Sequence, residues 1–484
     1  MPPGRTDDGG RPHGSAREAS RARGREPGEP PATDCPTVDP VASVDDTPVT
    51  VGDDGTDERP ALVPLDTPRD GVPPVVADPE ALAAVVDAFA AGTGPVAVDA
   101  ERASGHRYGQ RAFLVQLRRE GAGTALVDPA ALPDLSSLGE AIADAEWVLH
   151  AASQDLPCLA EVGLRPALVF DTELGSRLAG FQRVGLAAVT EQLLGLSLAK
   201  EHSAVDWSTR PLPEPWLRYA ALDVEVLVDV RDALAAELER QGKLEWAREE
   251  FAAVAAAPPP APRVDPWRRT SQLHRVRNRR QLAAVRELWL ARDRLAQEQD
   301  VSPGRILPDS AIVAASVGTP ATPKDLLETS GFTGRGARRH LTVWFDALTR
   351  ARRLADADLP PHTLPSEGPP PPRVWPERDP VAAGRLARCR AAVTAIGAEH
   401  ALPVENLLTP DTLRRLAWSP PAGDGPDGLP SVPAVEAFLR THGARDWQVR
   451  LTAAALTACL PDPGPDQDPD PAEDVDDDTA GLDA

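Results

Sequence analysis

The stretch from Pro95 to Gln116, PVAVDAERASGHRYGQRAFLVQ, constrains the chain most. An apolar run ends on two acids, a polar loop follows, and a second apolar run returns, which predicts a strand, a turn and a returning strand. Side chains on a strand alternate between faces, so Asp99 and Glu101 share one side while Ala100 takes the other. Neighbouring carboxylates repel and call for a cation. Hard divalent ions such as Mg²⁺ or Mn²⁺ suit carboxylate oxygens, and a strand end opening on a cleft leaves coordination positions for phosphate and water. The pattern alone is weak evidence, because the chain holds 74 acidic residues and Asp-x-Glu arises often by chance.

Further acids arrive in fitting surroundings. After Asp99 the segments AFLVQLRR and TALVDP read as an antiparallel meander. LSSLGEAIADA, WVLHA, QDLPCLAEVG, LVFDT, ELGSRLAG and LAAVTEQLLG then alternate between helix and strand, which predicts a mixed sheet flanked by helices. Asp155 follows WVLHA at a strand-to-helix turn, the position where open α/β sheets bind ligands. It could equally be a first-turn acid favoured by the helix dipole. His150, just before it, reads as a packed or hydrogen-bonded residue rather than a base. In PEPWLRYAALDVEVLVDVRDALAAELER, a single long helical pattern, Tyr219 and Asp223 are four apart and share a face. An acid amid Ala221, Leu222, Val224 and Val226 wants a partner, whether a metal or simply the Tyr219 hydroxyl. Asp206, Asp229 and Asp232 read as caps or solvated helix positions.

Length and composition set the surroundings of this block. The 484 residues suffice for two or three domains, and the 53 prolines and 36 glycines gather mainly in tails and linkers. A formal charge of −23 argues against a polyanionic partner only on average. From Arg263 to Arg294 the chain carries about ten arginines against a few acids, whereas from Pro461 to Ala484 it carries about ten acids and neither Lys nor Arg. A local basic face can therefore meet phosphates while the acidic tail stays solvated. The four cysteines, Cys35, Cys158, Cys389 and Cys459, form no ligand pattern and fit a reduced cytoplasmic setting. The sequence contains neither a signal-peptide core nor an apolar run long enough to span a bilayer.

Taken in order, VAVDAE, LHAASQDL and YAALDVEVL resemble the three motifs of the DEDD exonucleases, in the subclass with tyrosine in the third. DWSTRPLPEPWLRYAALDVEVL, from Asp206, is similar to ribonucleases of the D type. RNRRQLAAVRELWLARDRLAQEQD, with ILPD and AIV after it, resembles the HRDC domain, a helical nucleic-acid-binding module. The resemblance implies an α/β chain: an RNase H-like mixed-sheet exonuclease domain followed by all-α HRDC-type helical domains. The expected divisions are a disordered tail over 1–61, the exonuclease domain over 62–250, and a Pro-rich linker over 251–266. An HRDC domain over 267–353, a second Pro-rich linker over 354–380, a divergent second HRDC-like domain over 381–460 and a disordered acidic tail over 461–484 complete them.

By the same resemblance Asp99, Glu101, Asp155 and Asp223 would bind two divalent ions, Mg²⁺ or Mn²⁺, and Tyr219 would orient the attacking water. The expected reaction removes 5′-mononucleotides from RNA 3′ ends, those of tRNA precursors among them. Gln116 and Arg210 stand as candidates for substrate or strand contacts, with structural pairing an equal alternative for each. Arg277, Arg279 and Arg280 stand for phosphate contacts, against an inter-domain packing role for the HRDC region. A 3′–5′ DNA exonuclease and a non-catalytic RNA-binding scaffold remain the competing readings. Ala100, where threonine is common in the family, faces away from the acids and is expected to matter little.

Overall fold

The computed structural model describes residues 61–199, 205–259, 261–364, 368–425 and 428–461. Apart from Ala61 and Pro461, the tails expected over 1–61 and 461–484 lie outside the described residues, as does Cys35.

The first block opens with β1 (Val63–Leu65), β2 (Val75–Val76) and α1 (Pro79–Ala91). Asp78 starts α1, its carboxylate accepting from the Glu80 and Ala81 amides, with Pro79 preset for the first turn. The meander follows as β3 (Thr93–Arg102), β4 (Ala112–Glu120) and β5 (Gly123–Val127). After it come α2 (Ser136–Ala141), β6 (Glu146–Leu149), α3 (Ala152–Glu161), β7 (Leu168–Asp171), α4 (Thr172–Leu178), α5 (Leu186–Leu194) and β8 (Leu196–Leu198). Three helices close the block: α6 (Glu214–Glu225), α7 (Leu227–Arg240) and α8 (Leu244–Ala255). The six-stranded sheet runs β2-β5-β4-β3-β6-β7, antiparallel across the meander and parallel from β3 to β7, while β1 pairs with β8 apart from it.

Alternation along β3 decides which way the acids face. Val96, Val98 and Ala100 pack with Leu82, Phe89, Leu138 and Leu159 on the side of α1, α2 and α3. Ala97, in phase with Asp99 and Glu101, packs with Val224 and Leu227 of α6 and α7. The long helical pattern through Asp223 is two helices rather than one. It breaks at Val226, where φ −101° and ψ −10° depart from helical values. Apolar spacing continues through the break, so periodicity reads straight across it.

The helical region holds α9 (Arg279–Gln299), α10 (Pro303–Ile306), α11 (Asp309–Gly318), α12 (Pro323–Glu328), α13 (Arg335–Arg339) and α14 (Leu341–Arg353). Asn278 caps α9 through its side chain, so the helix begins two residues after Arg277. This set closes a core of its own around Leu288, Ile312, Phe332 and Trp344. The last set comprises α15 (Trp375–Arg378), α16 (Pro380–Glu399), α17 (Val404–Leu407), α18 (Pro410–Trp418), α19 (Val432–Thr441) and α20 (Asp446–Ala458). Within it α16, α17 and α18 repeat the succession of α9, α10 and α11: a helix of 20 or 21 residues, one of four, then one of nine or ten. Its core is not its own. Trp375, Leu386, Trp447 and Leu456 join Phe170, Leu234 and Phe251 in one continuous apolar cluster, and Trp447 stacks on Trp246 at 5.2 Å.

Candidate active site

The β3 to β4 register sets Asp99 opposite Gln116. Gln116 is fully buried, and its Nε2 donates to Asp99 Oδ2 at 3.0 Å. Past Glu101 the register slips, a bulge that turns the strand end toward the opening. From the facing helix, Asp223 completes a set in which Asp99, Glu101 and Asp223 each offer an oxygen within 4.8 Å of the others.

Asp155 arrives by another route and stands outside that tight group. β6 ends in a left-handed turn at Ala151, with φ 62°, and α3 starts immediately after it. Asp171, at the end of β7, holds this turn by accepting from the Ala151 and Ala152 amides at 3.0 and 2.9 Å. The same carboxylate caps α4 through the Glu173 and Leu174 amides. Asp155 is thus presented on a braced helix start, buried, with Arg102 Nη2 3.3 Å from its Oδ1. Arg102 also donates to the Gln154 carbonyl at 2.9 Å.

These acids line a cleft of about 670 Å³ with Tyr219, His150 and Gln154, a size within the common range for ligand sites. Burial, and then mutual repulsion, govern their protonation. The Glu101 carboxyl is pushed up to about 10 by lost hydration and by Asp99, Asp223 and Asp155. Asp155 rises to about 8, chiefly through burial and then Asp99, with Arg102 opposing. Burial also raises Asp99 and Asp223 above the ordinary carboxylate range. Tyr219 hydrogen-bonds Asp223, and burial beside these acids raises its phenol, so the hydroxyl keeps its proton at neutral pH. Its ring lies 6.5 Å from that of the buried Trp207.

A divalent ion fits this donor set. The ligands are hard carboxylate oxygens, they converge, and their mutual repulsion, only partly offset by Arg102, favours protonation of Glu101 and Asp155. Removing that proton in favour of a metal is the exchange expected of a carboxylate site.

The other sequence candidates divide. Arg210 is bound within the protein, with Nε and Nη2 on Asp128 at 2.6 and 2.7 Å and further bonds to the Trp207, Thr209 and Phe113 carbonyls. Arg279 donates to the Leu359 and Pro360 carbonyls. Arg280 donates to the Leu354 carbonyl and to Asp356, fixing the chain that leaves α14. All three guanidinium groups are engaged in structural bonds, whereas Arg277 is exposed. Asp206 caps its own loop, accepting from the Ser208 amide and hydroxyl. Sequence reasoning passed over Arg102 and Asp171. Asp171 carried a signal, an acid at a strand end just before a helical pattern, which marks a cap.

The helical region that begins with α9 borders the cleft. The loop 103–111 contributes Ser104, Gly105, His106 and Gln110 to the cleft lining. Arg111 forks onto Asp300 at 2.9 and 2.6 Å, the Tyr108 hydroxyl donates to Asp293 at 3.2 Å, and Arg305 donates to the Gly105 carbonyl at 3.0 Å. Among the described residues, no helix is long and apolar enough to cross a membrane.

Comparison with known proteins agrees with this architecture. Residues 73–239 match a family model described as 3′–5′ exonuclease, residues 281–348 match the HRDC domain, and residues 368–460 match a model described as 3′ to 5′ exonuclease C-terminal domain. Ribonuclease D of Gluconacetobacter diazotrophicus is 31% identical over 354 residues, covering 72% of this chain and 84% of that one. A crystal structure of a protein from Bifidobacterium adolescentis superposes with TM-score 0.74 at 39% identity, over 82% of this chain and 99% of that one. Escherichia coli RNase D, described as an exoribonuclease involved in structured RNA processing, superposes with TM-score 0.58 at 26% identity, over 80% and 98%. The chain belongs to the ribonuclease D family of 3′–5′ exoribonucleases.

Proposed function

We propose that this chain shortens RNA from the 3′ end to 5′-mononucleotides at the cleft where Asp99, Glu101, Asp155 and Asp223 meet, with two divalent ions, Mg²⁺ or Mn²⁺, as cofactor. The observation that carries this reading is the convergence of Asp99, Glu101 and Asp223 within 4.8 Å, on a strand and a helix facing one another. Bound there, divalent ions would supply charge neutralisation at the scissile phosphate, an activated water and stabilisation of the leaving 3′ oxygen.

The chain's own residues do the rest. Asp99, fixed by Gln116, would hold the ions together with Glu101 and Asp223, and Asp155, its angle set by Arg102, would complete the ligand set. Tyr219 keeps its proton and aligns the attacking water by hydrogen bonding rather than taking its proton. Arg102, beside the acids, is a cation for a substrate phosphate once those acids are neutralised.

The division into an exonuclease domain, an HRDC domain and a divergent second HRDC-like domain belongs to the same reading, and the repeated helix succession supports it. Structured precursors such as those of tRNA are the proposed substrates, with exposed Arg277 as a phosphate contact, and the cytoplasm is the proposed setting. Product analysis tests the core of this. Incubated with 5′-labelled RNA and matched DNA, the protein should give a ladder shortening from the RNA 3′ end only with Mg²⁺ or Mn²⁺, and Asp99→Ala should give none. Intact RNA under every condition with binding preserved would leave an RNA-binding scaffold.

A further inference from the structure

His150 directly follows β6 and lines the cleft, and its ring nitrogens can be told apart. Nδ1 lies 2.9 Å from Thr172 Oγ1, which lies 3.1 Å from the Leu149 carbonyl oxygen. A carbonyl only accepts, and a hydroxyl has one proton to give. Both contacts are hydrogen bonds only if Thr172 donates to Leu149 and His150 Nδ1 donates to Thr172. Thr172 is fully buried, so no water offers its hydroxyl another acceptor. Burial also holds the ring pKa down to about 4, so at neutral pH the imidazole carries one proton, and the relay assigns it to Nδ1. Nε2 is left with a lone pair. Among the described residues no hydrogen bond reaches it.

The mounting is rigid. Asp171 ties the Ala151 and Ala152 amides to β7, and the adjacent Thr172 ties the ring to the same strand end. A side chain locked in this way reads its ligand by chemistry rather than by adapting to it. A neutral acceptor in an RNA cleft gains nothing from phosphate oxygens, which only accept. The donors that every ribonucleotide carries, whatever its base, are the 2′-hydroxyl and, at the terminus, the 3′-hydroxyl.

We propose that His150 Nε2 accepts a hydrogen bond from a ribose hydroxyl of the 3′-terminal nucleotide, making His150 a contact that reads the terminal sugar in the cleft: through the 2′-hydroxyl it would select ribose over deoxyribose, through the 3′-hydroxyl an unblocked end. This rests on the reading of the cleft as the catalytic centre. Base identity does not enter, which suits an enzyme that must pass over any sequence.

The test is a substrate-by-variant comparison at saturating Mg²⁺. Three oligoribonucleotides, all-ribose, 2′-deoxy at the last residue and 3′-deoxy at the last residue, are given to the wild-type protein, to His150→Leu and to His150→Gln. In the wild type one deoxy substrate should lose on the order of tenfold in kcat/KM, the worth of one neutral hydrogen bond, and which one it is names the hydroxyl. In His150→Leu that ratio should fall below about twofold, and His150→Gln, whose amide oxygen restores an acceptor, should recover part of it. A general folding defect lowers all three substrates together and leaves the ratio untouched. An unchanged ratio in His150→Leu, or a wild-type protein indifferent to both deletions, overturns the inference while the exonuclease reading stands. Failure of the wild type on all-ribose RNA overturns both.

Discussion

Arg111 and Asp300 meet in a two-pronged pair, at 2.9 and 2.6 Å, that joins the loop over the acidic cleft to the C-terminal end of helix α9 in the HRDC region. Both side chains keep about two-fifths of their surface in water, so the pair contributes little to stability, about 0–1 kcal/mol after screening. Its effect is positional. Asp300→Ala should leave the melting temperature almost unchanged while raising KM for RNA about two- to tenfold, as the cleft wall loses its brace. Unchanged KM, measured beside a thermal melt, would make the HRDC contact irrelevant to the cleft.

Asp99→Asn should abolish turnover and, without divalent ions, should stabilise the fold by about 1–3 kcal/mol at pH 8, because it removes the mutual repulsion of the carboxylates. A cleavage assay checks the first half and denaturant midpoints with and without Mg²⁺ the second: the variant should gain stability in chelator and lose the increment that Mg²⁺ gives the wild type.

The cluster also sets a pH dependence. Glu101 and Asp155 have folded values raised from 4.5 and 3.8 to about 10 and about 8. A group raised in this way binds its proton more tightly when folded, so its stabilising contribution is full below about pH 4 and is lost as pH rises through about 8 and then about 10. The metal-free protein should therefore weaken steadily from pH 6 to pH 9. With Mg²⁺ the loss should shrink, and equal slopes in chelator and Mg²⁺ would mean that the ion does not engage these acids.

Tyr219→Phe should lower kcat on the order of tenfold to a hundredfold while leaving RNA affinity within about twofold, since what is lost is alignment. Fluorescence anisotropy with labelled RNA, run beside single-turnover cleavage, separates the two effects.

Asp171→Ala should be the most damaging change outside the cleft. Four backbone amides lose their acceptor at two helix starts, Ala151 and Ala152 on one and Glu173 and Leu174 on the other, a cost of about 2–4 kcal/mol. Asp171→Asn, which keeps one oxygen, should fall between, as measured by urea unfolding.

What could be read in advance followed local periodicity. The side shared by Asp99 and Glu101 comes from the two-residue repeat of a strand, and the face shared by Tyr219 and Asp223 comes from the turn of a helix. Groups whose meaning depends on distant partners could not be read. Arg102 matters because α3 brings Asp155 back to it, and Arg210 is engaged because Asp128 lies 82 residues away in sequence yet beside it in space. The break at Val226 and the short strands β1, β2 and β8 leave too little pattern to read. Nor does any repeat in the C-terminal helices reveal that their apolar face belongs to the core of the first domain.

That shared core makes the order of synthesis matter. Trp246, Ala247 and Phe251 leave the ribosome well before the helices that cover them, and Glu250 meets its partner, the Trp447 indole, 197 residues later. At roughly 5–20 residues per second the apolar face stays bare for about 10–40 s. Nascent chains stalled before α20 should therefore be cut readily by protease around α8, whereas the HRDC region, closed on its own core, should already resist. Quality control during translation thus bears on the catalytic half of the chain, and α20, the last of the described helices, is the one that releases it.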